Sequence, residues 1–253
     1  MSTKNKKENP DGIFLSIIIP TYNESENIFK LLEEVCKNVN ELRYEILVVD
    51  DNSPDGTASI VSQKEVSFKN RVFLIKRLDK KGLGTAYIEG FRWALKRKYD
   101  FIVSMDADFS HNPSELTKMI KYFSNGVDVV VGSRYLNGVS VVNWPIGRIF
   151  LSYIAQIYVR LITGMPINDP TSGFVAYSKE SVNALNLDKF RFIGYAFQIE
   201  MKYKIWKKKF KLKEHQIIFM NRELGESKLD KKIILEAVFG VLKLRLDYIL
   251  NRL

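Results

Sequence analysis

The sequence is poor in residues that make covalent or soft-metal cross-links. One cysteine, Cys36, and two histidines occur in 253 residues, which excludes a disulfide framework and a cysteine-rich metal site. Cys36 lies in the helical-looking run Leu31 to Val39 and reads as a small buried hydrophobe in a reducing compartment. No stretch of 18 uncharged apolar residues is present, so no transmembrane helix is expected. Residues 1–12 are polar and lysine-rich, without the apolar segment of a secretory signal, and are expected to form a flexible tail. There is no internal repeat, and no basic–aromatic interleaving of a nucleic-acid-binding signature. The formal net charge of +10 therefore points away from nucleic acid, toward an anionic bilayer or a phosphorylated substrate.

With 46% apolar and 27% charged residues, the chain has the composition of a globular α/β domain. Its first half alternates apolar strands with amphipathic helices. Strands are expected at Leu15 to Pro20, Tyr44 to Val49, Val72 to Ile75, Phe101 to Met105 and Val127 to Val131; helices at Ser25 to Val39, from Thr57, and at Thr85 to Lys98. Strands apolar on both faces predict a parallel sheet covered by helices on each side. Ligands of such sheets bind at the carboxyl ends of the strands. There stand Tyr22-Asn23-Glu24, Asp50-Asp51, Asp106 and Asp108, and Ser133-Arg134. Beyond them, helices are expected at Pro145 to Thr163, Tyr195 to Lys208 and Lys231 to Leu253, with strands at Gly173 to Tyr177 and Leu212 to Phe219.

In Asp106-Ala107-Asp108 the carboxylates are two residues apart, on one side of an extended segment. Such a pair repels itself unless a cation sits between, and oxygen ligands select a hard ion, Mg2+ or Mn2+. A helix N-cap ahead of Pro113 would use the same residues, but the other acidic strand ends favour a metal–nucleotide site. Asp50 and Asp51 face opposite sides, so only one can reach a nucleotide, and Asp50 to Gly56 is also turn chemistry. Gly82-Leu83-Gly84-Thr85-Ala86-Tyr87 lacks the third glycine of a dinucleotide loop, because Tyr87 stands there. It reads either as a close approach to a ligand or as a plain strand-to-helix turn.

The strings IIPTYNESENI, VVDDNSPDGTA, GLGTAY, DADFSHNP, VVGSRY, DPTSGF, GYAFQIEM and GESKL occur in this order. Together they resemble dolichol-phosphate mannose synthases and related polyprenyl-phosphate glycosyltransferases, members of glycosyltransferase family two. The resemblance spans roughly residues 16 to 229. It implies a GT-A fold, a Rossmann-like, mostly parallel sheet, over 13–230, followed by an amphipathic helix at 231–253. It also implies that Pro20, Tyr22, Glu24, Val49 and Asp51 contact the donor nucleotide. Asp106, Ala107 and Asp108 would hold metal and diphosphate, and Arg134, Arg222 and Lys228 would surround the phosphates, with Asp106, Asp108, Arg134 and Arg222 as the catalytic set. Some relatives carry a glutamine metal ligand where this chain has Ser110.

The implied reaction is inverting transfer of mannose from GDP-mannose to a polyprenyl phosphate. A phosphate monoester has its second pKa at about 6, so the acceptor is mostly dianionic at neutral pH and needs no strong base. His111, beside the metal motif, then reads as structural. The same machinery with another donor such as UDP-glucose, or a non-catalytic nucleotide-sugar-binding protein, are the competing readings.

In Pro145 to Thr163 the polar residues Arg148, Ser152, Gln156 and Arg160 form one stripe, and nearly everything else is apolar. Lys231 to Leu253 repeats the theme. These broad apolar faces suit the core, a dimer interface or a bilayer; the lipid acceptor implied by the resemblance favours the bilayer. Arg148 and Ser152 are then candidates for the acceptor phosphate. The expected location is peripheral, on the cytoplasmic face of a membrane, and a membrane-anchoring partner protein stays open.

Overall fold

A computed structural model describes residues 13–64, 68, 70–194, 196–221 and 231–250, with only the backbone course for 231–237. The tail at 1–12 lies outside them, as do Arg222 and Lys228.

Seven strands form one sheet: β1 Phe14–Thr21, β2 Arg43–Asp50, β3 Val72–Lys76, β4 Phe101–Ser104, β5 Val129–Ser133, β7 Val175–Ser178 and β8 Leu212–Gln216. Their order across it is β3-β2-β1-β4-β7-β5-β8. The helices are α1 Ile28–Asn38, α2 Thr57–Lys64, α3 Leu83–Leu95, α4 Glu115–Lys121, α5 Ile146–Thr163, α6 Lys179–Asn183, α7 Ala196–Lys207 and α8 Lys231–Ile249. A two-stranded parallel ribbon, β6 Val141–Val142 with β9 Phe219–Met220, stands apart from the main sheet.

The strands are buried because alternate side chains feed two cores. Ile18, Leu47 and Val49 join Tyr87 and Phe91 of α3. Ile17, Ile19, Ile46 and Val48 join Leu31, Leu32 and Val35 of α1, with Leu116 and Met119 of α4. Each such side chain contributes about 1.5–3 kcal/mol on burial. Cys36 packs half-buried against the second cluster.

The sheet departs from a wholly parallel one. β7 runs antiparallel to both neighbours, β4 and β5. After β5 no crossover carries the chain back to the opposite edge. It passes through α5 and re-enters beside the strand ends, so β7 has to run backwards. This reversal sets the loop Asp169 to Gly173 next to the ends of β4 and β5. Asp106 to Asp108 also differ from the expected extended segment: β4 stops at Ser104, and the chain turns, with Phe109 at φ 59°.

Helix α5 is inside out relative to a surface helix. Gln156 is 3% exposed, whereas Ile146 is 85%, Phe150 67% and Leu161 78% exposed. Of its polar stripe, Gln156 is buried and Arg148 and Ser152 are half-buried against the protein, Arg160 is exposed, and most of its apolar side chains face out. Among the described residues α5 is the one helix long and apolar enough to cross a membrane, by length and composition alone and marginally so, with 17% of it buried. Along one flank it meets α8, where the Tyr158 hydroxyl donates to the Val238 carbonyl at 2.8 Å. α8 exposes Phe239 and Leu246 and buries Val241 and Leu244.

Candidate functional site

Three clusters gather at the carboxyl edge of the sheet. The first joins the ends of β1 and β2. Asp50 is fully buried and accepts from Thr21 Oγ1 at 2.9 Å, Ser53 N at 2.9 Å and Ser53 Oγ at 2.6 Å. It is the turn residue of the pair. Asp51 accepts from Arg77 Nη1 at 2.5 Å and from the Gly82 amide at 3.0 Å. Gly82 has φ 94°, a backbone state that a side chain would strain. Arg77 also reaches Thr85 Oγ1 at 2.6 Å and Glu89 at 3.3 Å. Both partners of this ion pair are about 6% exposed, and Arg77 was not singled out in the sequence.

Around this cluster, Pro20 and Tyr22 are half-buried and Val49 is buried. The Lys80 ammonium lies 3.7 Å from the centroid of the Tyr22 ring, within cation–π range. Glu24 caps the start of α1: its carbonyl accepts from Ile28 N at 2.9 Å, and its Oε2 accepts from Asn27 Nδ2 at 3.0 Å.

The second cluster is the acidic turn. Asp106 Oδ1 accepts from the Tyr87 hydroxyl at 3.1 Å. Its amide donates to His111 Nδ1 at 3.0 Å, and its Oδ2 lies 3.9 Å from His111 Nε2. Burial holds His111 below its ordinary pKa, against the pull of Asp106 and Asp108. The ring is therefore neutral, with Nδ1 accepting and the proton on Nε2. It stacks on Phe174 at 4.9 Å between centroids. Asp108 Oδ1 accepts from Ser110 N at 3.1 Å and Ser110 Oγ at 2.5 Å, so the Ser110 proton supports Asp108. Ala107 is buried between the two aspartates.

Among the described residues no group of three His, Cys, Asp or Glu side chains gathers around a point that could hold an ion. The donor set nonetheless fits one class of ion. Asp106 keeps 35% of its side chain accessible, and both donors are hard carboxylates. Mg2+-type ions are commonly held by one or two carboxylates, with waters and substrate phosphates completing the shell. Gly173 closes the turn, and a Cβ there would sit 3.4 Å from Asp106 Oδ2, in space that an ion's ligands would need.

The third cluster surrounds Arg134. Asp169, fully buried, accepts from Arg134 N and Nε at 3.0 and 2.7 Å through Oδ2, and from Nη2 at 2.7 Å through Oδ1. Burial pushes the Asp169 carboxyl up, but the charge and hydrogen bonds of Arg134 prevail and hold it below the ordinary value. Nη2 also reaches Thr171 Oγ1 at 2.7 Å, which in turn accepts from Gln156 of α5 at 2.9 Å. Asp169 and Thr171 belong to the DPTSGF string but carried no assigned role in the sequence. The signal available was an acidic residue set directly before proline within that string.

The ring of Trp144 connects this cluster to α5. The Arg148 guanidinium lies 4.0 Å and that of Arg134 5.7 Å from its centroid. Arg148 also donates to Asn221 Oδ1 at 3.1 Å, and Ser152 Oγ accepts from the Tyr135 hydroxyl at 2.7 Å. The two acceptor candidates thus stand beside Arg134, at the base of the exposed helix.

Residues 16–185 match the family described as Glycosyl transferase family 2. The chain is 41% identical over 228 residues to polyprenol monophosphomannose synthase of Mycolicibacterium smegmatis, covering 89% of this chain and 84% of that one. It is 40% identical over 224 residues to undecaprenyl-phosphate mannosyltransferase of Micrococcus luteus, covering 88% and 90%. With dolichol-phosphate mannosyltransferase of Pyrococcus furiosus it shares 41% over 234 residues, 91% of this chain and 63% of the relative. Among solved structures, glucosyl-3-phosphoglycerate synthase from Mycobacterium tuberculosis, in complex with Mn2+, UDP and glucosyl-3-phosphoglycerate, superposes with a TM-score of 0.67. That match has 17% identity and covers 92% of this chain and 80% of the other.

Proposed function

This chain belongs to glycosyl transferase family 2, and we propose that it transfers mannose, with inversion, from GDP-mannose to a polyprenyl phosphate. The observation that carries this reading is the placement of Asp51, Asp106, Asp108 and Arg134 along one sheet edge, directly beside a helix that turns its apolar side outward. A polar donor site bordered by an apolar ledge suits a reaction between a nucleotide sugar and a lipid phosphate.

The donor nucleotide is assigned to the first cluster, with Pro20, Tyr22, Glu24, Val49 and Asp51 around the base and ribose. Asp106 and Asp108 would hold a divalent ion, Mg2+ or Mn2+, which when bound offsets the charge developing on the diphosphate leaving group. The Arg134–Asp169 pair fixes a guanidinium beside that charge without reorganisation, the condition under which electrostatic stabilisation is strongest. Arg222 and Lys228, outside the described residues, are assigned to the same phosphates. No side chain has to remove a proton, because the acceptor phosphate is already dianionic above about pH 6. His111 agrees with this: its Nδ1 is occupied by the Asp106 amide.

Arg148 and Ser152 are assigned to the acceptor phosphate. The lipid tail would then run along Phe150, Ile154 and Leu161, with the protein seated peripherally on the cytoplasmic face of an anionic bilayer, and its +10 charge adding attraction. The test offers GDP-mannose and UDP-glucose side by side with polyprenyl phosphate and follows label into organic-extractable lipid. Label from GDP-mannose alone supports the donor assignment. Label from UDP-glucose alone refutes the mannosyl reading, and label from neither refutes the acceptor.

A further inference from the structure

The first turn of α3 is tied to two of the three clusters. Gly82 holds Asp51 through its amide, and Thr85 holds Arg77. Two residues on, Tyr87 is fully buried. Its ring packs near-parallel to those of Phe91 and Phe197, with centroids 6.2 and 6.1 Å away and planes inclined by 24° and 4°. Fully buried among these rings, the phenol has little freedom to swing. Its hydroxyl emerges at the end of β4 and donates to Asp106 Oδ1 at 3.1 Å.

A buried phenol needs a hydrogen-bond partner, and apolar packing alone would accept phenylalanine here. The polar atom instead reaches one oxygen of a carboxylate whose other oxygen faces His111 Nε2 at 3.9 Å. The phenol and the neutral imidazole approach from two different elements. Only the phenol is within hydrogen-bond distance, and it can orient the carboxylate without cancelling its charge, as outer groups orient an ion's ligands.

We infer that Tyr87 is a positioning residue, fixing the rotamer of Asp106 so that its carboxylate is presented to a divalent cation. The inference rests on the metal reading proposed above and adds a residue to it. It also explains the GLGTAY string, in which one helical turn sets Asp51 and Asp106 relative to each other.

The test is Mn2+ binding to the full chain without donor, read from the electron paramagnetic resonance signal of free Mn2+, for wild type and Tyr87→Phe. The ring still fits and only the hydroxyl is lost. The expected result is an affinity weaker by about 10-fold or more, with thermal unfolding in EDTA matching wild type. Equal Mn2+ affinity in the two proteins would reduce Tyr87 to a core residue and overturn the inference. A matching loss of thermal stability in EDTA would assign the effect to folding and overturn it too. Wild type that binds no Mn2+ either alone or with GDP added would remove the metal reading itself, a distinguishable failure.

Discussion

The first half of the molecule and helix α5 of the second present their apolar residues in opposite directions. From Phe14 to Ser133 the strands β1, β2, β4 and β5 are largely buried, the edge strand β3 partly so, and α1 and α3 turn their apolar sides onto the sheet. In α5 the arrangement is reversed: Gln156 is buried against the Arg134 cluster while Phe150, Ile154 and Leu161 face outward. The first half obeys the ordinary rule for a domain in water. The second has a surface whose energetics make sense against another apolar phase. In the proposed reading, Arg148, Ser152 and Gln156 of α5 serve the reaction site and its apolar face is left for the acceptor's surroundings. Donor chemistry and acceptor capture are thereby assigned to different regions that meet at Trp144.

The largest effect should come from the donor side. Asp108→Ala is expected to lower transfer by about 100-fold or more, measured as turnover with saturating Mn2+. Excess EDTA should silence the wild type similarly; near-normal rates in EDTA would refute the metal reading. Asp169→Asn, at the junction of the halves, should cost about 3–5 kcal/mol of stability, because it leaves the Arg134 charge buried without its counter-ion. Denaturant unfolding reads this directly, and a loss below about 1 kcal/mol would show that Arg134 finds another partner. On the acceptor side, wild type should float with anionic liposomes, less so at high salt, since each basic residue near such a surface contributes about 1 kcal/mol. Failure to float at low salt would make the α5 face a protein–protein surface.

The smallest effect concerns Lys202 of α7, fully buried with its Nζ donating to the Ser172 carbonyl at 2.7 Å. Burial lowers its pKa from 10.5 to about 7, with Asp169 opposing and Arg134 adding to the shift. Between these values the unfolded chain binds more protons, so this group makes stability rise with pH across that window. Its burial penalty is largest below about pH 7 and gone above 10.5. Lys202→Met should therefore stabilise the fold by ~1–2 kcal/mol at about pH 6, net of the lost hydrogen bond, with the gain shrinking as the pH rises toward 10.5. A gain independent of pH would contradict the buried ammonium.

Sheet and helices were legible in the first half because period and turn residues agree there with the final packing. The placement of Asp51, Asp106 and Arg134 at strand ends followed from the same pattern. The division of labour between Asp50 and Asp51 was also foreseen, since adjacent residues of a strand face opposite ways. Less could be read where tertiary topology decides. The reversal of β7 depends on where the chain re-enters, which Val175 to Ser178 do not encode locally. Arg77 meets Asp51 across 26 residues and Asp169 meets Arg134 across 35, and nothing in spacing forms either pair. For α5 the stripe of Arg148, Ser152, Gln156 and Arg160 was visible, but periodicity is blind to which side faces inward.

The most direct test of this split between halves uses a single variant, Phe150→Ser with Ile154→Ser and Leu161→Ser, assayed for GDP-mannose affinity and for transfer to long-chain and short, water-soluble isoprenyl phosphates. Donor affinity should stay within about twofold of wild type, because the changed side chains are exposed on the outward face of α5. Transfer to the long-chain acceptor should fall by about 10-fold or more, the loss of apolar contact, while transfer to the short acceptor is retained. Unchanged long-chain transfer, or donor affinity lost in step with it, would contradict the assignment of lipid capture to α5.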